Sequence, residues 1–212
     1  MTNRTRYLLT LLALLALLAR PAVLACQDNA LDLRVAEFNA KRDLTYQNFI
    51  YARSFAGGRF IAQVNYLRLA PAKYSEVAAG LGIRITTVGD ASVYVIGGFG
   101  RATDANYAEP AILVQDTKGR LTGAAYIQRY QPLSDAGVGQ WLLDMLEVQY
   151  NVHGPFNLGA ALYAYQAEGG SWLTKVGPTL SVNDRLGSTG IRVTSVSQAG
   201  GHEIQLRRIL VF

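Results

Sequence analysis

The stretch Gly201–Phe212 reads G-H-E-I-Q-L-R-R-I-L-V-F. Ile204, Leu206, Leu210 and Phe212 share one parity, and Glu203, Gln205 and Arg207 share the other. A period of two belongs to a strand with one apolar and one wet face. Arg208 breaks the apolar parity.

The same period runs back through the chain. Segments 31–38, 44–54, 59–69, 75–86, 92–101, 107–115, 121–131, 156–166, 171–183 and 189–197 all alternate to some degree. The clearest is 75–86, where Val77, Ala79, Leu81, Ile83 and Ile85 interleave with Glu76, Gly80, Gly82 and Arg84. Short turn sequences such as Ala56-Gly57-Gly58, Asp116-Thr117-Lys118-Gly119 and Glu168-Gly169-Gly170 divide them. Pro110 falls inside one segment and Pro178 inside another, and a proline cannot donate to a ladder. Segment 138–150 fits two periods. Val138, Trp141, Leu142, Met145, Leu146 and Gln149 fit a helix. A strand requires a bulge between Met145 and Leu146, with Asp144, Glu147 and Gln149 on the wet face. The strand is preferred, because a helix leaves an odd strand count.

The start of the chain is of another kind. Arg4 and Arg6 precede an apolar run over 7–19 that is too short to span a bilayer, and Val23-Leu24-Ala25 supplies a cleavage site. We therefore expect a signal peptide over 1–25 and a single domain over 26–212. Losing Arg4, Arg6 and Arg20 lowers the formal charge from +5 to +2. No basic run with interleaved aromatics remains to suit nucleic acid. Cys26 is the only cysteine, so an internal disulfide is excluded. Val23-Leu24-Ala25-Cys26 also resembles a lipobox, which makes Cys26 a candidate for lipidation.

A last strand ending on Phe212 resembles the assembly signal of Gram-negative outer-membrane β-barrel proteins. The resemblance implies the outer membrane as location. It also implies outer-membrane lipid as surroundings, and the barrel-assembly machinery as a partner reading Phe212, Leu210, Leu206 and Ile204. The strand lengths independently suit a tilted bilayer crossing. In lipid every backbone group must pair internally, so the sheet must close. The expected fold is all-β: a closed antiparallel up-and-down transmembrane barrel of about 12 strands with short turns, or 10 if two weak segments are loops.

No motif names a substrate, and no spacing implies a metal or a cofactor. The candidate lumen residues are Arg59, Gln63, Asn65, Glu76, Arg84, Lys175 and Asn183. They either pair with one another as a polar filling or line a narrow pore favouring small anionic solutes. The sugar-acid porins resemble this chain in size class and cationic lumen, without a shared motif. Short connections leave little material for a receptor or adhesin site. No catalytic residue is assigned and a non-enzymatic role is expected. Two alternatives stand beside it. One is a barrel enzyme acting on lipid or lipopolysaccharide, in which His202 meets Ser195 or Ser197 across the last hairpin. The outer-membrane phospholipase spacing of His and Ser on one strand is absent. The other is a soluble or lipid-anchored periplasmic barrel holding an apolar ligand. It requires apolar residues inside and polar ones outside.

Overall fold

A computed structural model describes residues 29–38, 45–69, 73–89, 91–197 and 201–212. The proposed leader and Cys26 lie outside the described residues. The described chain forms β1 (Asn29–Phe38), β2 (Thr45–Phe55), β3 (Phe60–Leu69), β4 (Tyr74–Val88) and β5 (Ala91–Ala102). There follow β6 (Asn106–Ala108), β7 (Ala111–Lys118), β8 (Leu121–Pro132) and β9 (Gln140–His153). The last are β10 (Phe156–Ala167), β11 (Leu173–Asp184), β12 (Gly187–Val196) and β13 (Gly201–Val211).

Neighbouring strands pair antiparallel in chain order, and β13 pairs with β1 from Ala30 opposite Val211 to Phe38 opposite Glu203. That pairing closes the sheet. β6 and β7 are two halves of one wall position between β5 and β8, so the barrel has 12 strands. The break falls at Glu109-Pro110, where proline lacks the ladder donor. Glu109 N donating to Gly98 O at 2.8 Å and Arg129 N donating to Pro110 O at 2.9 Å carry the wall across it.

Closure fixes which parity faces in. Leu81, Leu158, Val176 and Leu206 are exposed on the outer wall, while Asp32, Arg34, Glu76, Glu147, Arg192 and Gln205 are buried inside. A soluble barrel around an apolar ligand requires the reverse. Aromatic side chains gather near both ends of the outer wall, as the two edges of a bilayer favour. Phe55 stacks on Phe60 at 5.4 Å near the end that carries both termini, and Phe49 lies 6.0 Å from Tyr66 towards the other. Arg208, outward as its parity requires, is held near the terminus-bearing end by Asp184. Its Nη1 and Nη2 donate to the two carboxylate oxygens at 2.6 and 3.0 Å.

Segment 140–153 is a strand, so the helical period is not used. Its bulge lies earlier than expected. Opposite β8, Met145 pairs with Tyr126 and Leu143 with Ile127, which leaves Asp144 as the extra residue. Both Asp144 and Met145 therefore turn inward, and Leu146 returns to the outer face. Pro178 stays in β11, opposite Ala160 of β10.

Close backbone approach demands glycine at Gly177 and Gly159. An added Cβ would lie 1.9 Å from Val193 O at the first and 2.1 Å from Val148 O at the second. Gly97 has open space around it. Overpacking of this kind costs about 1–3 kcal/mol. We expect Gly177→Ala to lower the temperature at which the folded gel band converts to the unfolded one, and Gly97→Ala to leave it unchanged.

Candidate functional site

Six charged side chains cross the lumen as one line of alternating sign: Asp144, Arg34, Asp32, Arg207, Glu147 and Arg192. Arg34 Nη1 donates to Asp144 Oδ2 at 3.0 Å, and its Nε and Nη2 donate to Asp32 Oδ2 at 2.9 and 2.7 Å. Arg207 Nε donates to Asp32 Oδ1 at 2.8 Å and its Nη2 to Asp32 Oδ2 at 2.6 Å. Its Nη1 reaches Glu147 Oε2 at 2.9 Å. Arg192 bonds the same Glu147 oxygen, donates to Gln205 Oε1 at 2.6 Å, and also bonds the Tyr163 hydroxyl.

The line leaves β9, reaches β1 and β13, and returns to β9 and β12. Between β9 and β13 on that arc stand β10, β11 and β12, so the contacts bridge a chord of the barrel rather than neighbours in the sheet. The local sequence explains the ends. Asp32 and Arg34 are two apart on one strand and share a face. Asp144 takes the inward parity of Leu142, and the bulge lets Met145 after it turn inward as well. Three guanidinium groups offset three carboxylates, as buried charge requires.

The line divides the lumen unequally. Between it and the β10–β12 wall remains a space of about 20 Å³, room for one water. On the other side lies a cavity of about 350 Å³. Its lining includes Ala30, Gln115 and Ile209 towards the terminus-bearing end and Leu173 and Lys175 towards the other. Amides of Asn48, Gln63, Asn65 and Gln128 face it. Gln63 Nε2 donates to Tyr126 OH at 2.7 Å, from β3 to β8. The inner wall is not polar throughout. Ile61, Tyr94, Ile96, Ala111 and Leu113 form a buried apolar cluster. It packs over Gly82, where an added Cβ would meet Ile96 at 2.7 Å and Ile61 at 2.8 Å.

Of the residues singled out from sequence, Gln63, Asn65 and Lys175 line the large cavity. Lys175 Nζ donates to Glu203 Oε2 at 2.6 Å. Glu76 is buried on the inner face and accepts from Tyr74 OH at 2.8 Å and Tyr130 OH at 3.2 Å. Arg84 lies near the terminus-bearing mouth, its Nη2 3.4 Å from Gly57 O. Arg59 stands in the turn before β3, over the Phe60 ring at 5.6 Å. Asn183 is exposed near the end of β11. The last two sit where the ladder is ending, so parity no longer aims a side chain into the lumen.

The sequence-based choice of lumen residues passes over the six charges of the line and also Glu109. All lie on wet parities or at a strand break, and that was the available signal. Glu109 accepts from Gln128 Nε2 at 2.7 Å, and its Oε1 fills the space where a Cβ of Gly100 would be, 1.7 Å away. His202 Nδ1 and Ser195 Oγ meet at 3.3 Å on the outer face. Ser197 Oγ instead accepts the Thr174 amide at 2.8 Å.

No family model matches the sequence, and no curated protein is similar to it. Solved structures are. The KdgM porin in complex with disordered oligogalacturonate matches at a TM-score of 0.65 and 12% identity, over 86% of this chain and 99% of that one. The NanC porin matches at 0.63 and 12%, over the same shares. An outer-membrane channel from Pseudomonas putida F1 matches at 0.50 and 11%, over 90% of this chain and 97% of that one. At such identities the likeness is one of fold, and the fold is the closed antiparallel barrel of outer-membrane porins.

Proposed function

We propose that the chain is exported by a leader removed before Cys26. It then acts in the Gram-negative outer membrane as a narrow, porin-like, non-enzymatic channel for small polar solutes. The observation that carries this reading is the cavity running beside the charged line, inside a wall whose outer face is apolar. Outer-membrane lipid is then the surrounding medium. The barrel-assembly machinery is the folding partner, through Ile204, Leu206, Leu210 and Phe212, whose parity faces outward. The pair Ser195–His202 has no third group orienting the imidazole among the described contacts, so the cavity and not this pair supports the function.

Arg34, Arg207 and Lys175 reach the cavity wall, which suits anionic solutes. Each also holds a carboxylate, so the preference for anions is small. The Lys175–Glu203 pair is the simplest lever on it, because it stands apart from the six-charge line.

We expect the protein in the outer-membrane fraction, with a gel band that shifts between unboiled and boiled samples. Recovery from the soluble periplasm without a shift would overturn the proposal. In planar bilayers under a salt gradient, Glu203→Gln should move the reversal potential towards anions and Lys175→Gln towards cations; absence of any conductance would sink the channel. Glu147→Gln leaves Arg192 without its carboxylate, while Arg207 keeps Asp32, and should cost about 3–5 kcal/mol. The check is a lowered conversion temperature of the folded band.

A further inference from the structure

The outer wall carries a one-sided set of arginines near the loop-bearing end. Arg68 is the next-to-last residue of β3 and Arg101 the next-to-last of β5, and Arg129 lies near the end of β8. Their sequence neighbours Leu67, Gly100, Gln128 and Tyr130 take the inward parity, so all three point outward. Arg68 and Arg101 are exposed, and no carboxylate among the described residues lies within ion-pair distance of either. Arg101 donates to Asn106 Oδ1 at 2.8 Å. Arg129 lies over the Trp141 ring at 5.3 Å and pairs with the exposed Glu168 at 3.4 Å. In the ring, β4 separates the first two, and the β6–β7 position separates the last two. Strand spacing sets successive attachment points about 10 Å apart across the strands, and the registers offset Arg101 from Arg68 by two residues and Arg129 from Arg101 by four along them.

Arg208 shows what an outward arginine takes when protein supplies a partner: a bidentate carboxylate. These three lack one as good. At a membrane edge the anion at hand is the headgroup phosphate, which guanidinium binds in a forked geometry. Basic side chains near an anionic membrane surface are drawn to it. Trp141 beside Arg129 marks the same interfacial level. On these grounds, and resting on the membrane reading above, we propose that Arg68, Arg101 and Arg129 form a docking face for the phosphates of an anionic lipid headgroup. The contact is on the outside of the barrel and is independent of the solute path.

The test uses the full barrel folded into vesicles of phosphatidylcholine alone, or doped with bis-phosphorylated lipid A, phosphate-free lipid A or phosphatidylglycerol. The reading is the temperature at which the folded band converts. Bis-phosphorylated lipid A should raise it by about 5–10 °C, from three phosphate contacts. Phosphate-free lipid A should not. The combined variant R68Q/R101Q/R129Q should lose the gain while folding normally in phosphatidylcholine, and Arg120→Gln, in a turn at the opposite end, should keep it. An equal gain with phosphatidylglycerol assigns the face to phospholipid, and a smaller one to the phosphorylated glycolipid. A gain retained by the triple variant, or absent in the unmodified protein that folds in every vesicle, overturns the proposal. A protein that folds in no vesicle overturns the membrane reading itself.

Discussion

Everything in this barrel depends on the pairing of β1 with β13. In hydrocarbon an unpaired N–H or C=O costs several kcal/mol, so an open edge on either strand is not tolerated. The register from Ala30 opposite Val211 to Phe38 opposite Glu203 removes both edges at once. It also transmits parity around the ring. Leu206 faces out because Val35, its partner, faces out, and Asp32 and Arg34 face in for the same reason. A slip of one residue at this seam would turn Asp32 and Arg34 towards lipid and strip the lumen of two of the six charges in its line.

The charged line is the lumen's counterpart to that closure. Inward charges have no bulk water to solvate them fully, so each needs a fixed partner. The partners come from strands far apart in the ring, so the line also fixes which inner walls approach each other. Its sign alternates at every step, and each carboxylate oxygen pair meets two donors or more, except at the Asp144 end. Removing Arg34 takes from Asp144, and removing Glu147 takes from Arg192, the counter-charge that the line supplies, which costs more than the pair itself contributes. The β10–β12 side is thereby filled towards the terminus-bearing end, while towards the other end Tyr165, Leu173 and Lys175 line the large cavity.

Strand limits were largely legible in the sequence, because a wall between lipid and lumen writes a period of two into each segment. Segment 121–131 differs from β8 by one residue at one end, and 156–166 from β10 likewise. Pro110 was legible as a fault but not as a clean break that leaves Glu109 inward. The bulge at 138–150 was legible, but its position was not. The extra residue is Asp144, so the apolar Met145 turns inward beside it and the outer face resumes at Leu146. Which parity faces lipid could not be read from alternation at all. It followed once the sheet closed with charges within. The partners across the lumen were hidden for another reason. Arg34 and Asp144 are 110 residues apart and Arg207 and Asp32 are 175 apart, and only the ring geometry brings them together.

The balance of the line bears on how a solute meets this lumen. A chain of equal and alternating charges has little field beyond its own length, since each guanidinium is cancelled within a few ångströms by a carboxylate. Steering must then come from charges outside it. Arg84 stands near the terminus-bearing mouth with a carbonyl as its recorded partner. Lys175 and Glu203 stand towards the other mouth as a separate pair. Between them the lumen wall presents amides, tyrosine hydroxyls and the apolar patch around Ile61 and Leu113. On the proposed channel reading, charge governs entry at the mouths, while passage along the middle is governed by width and hydrogen bonding.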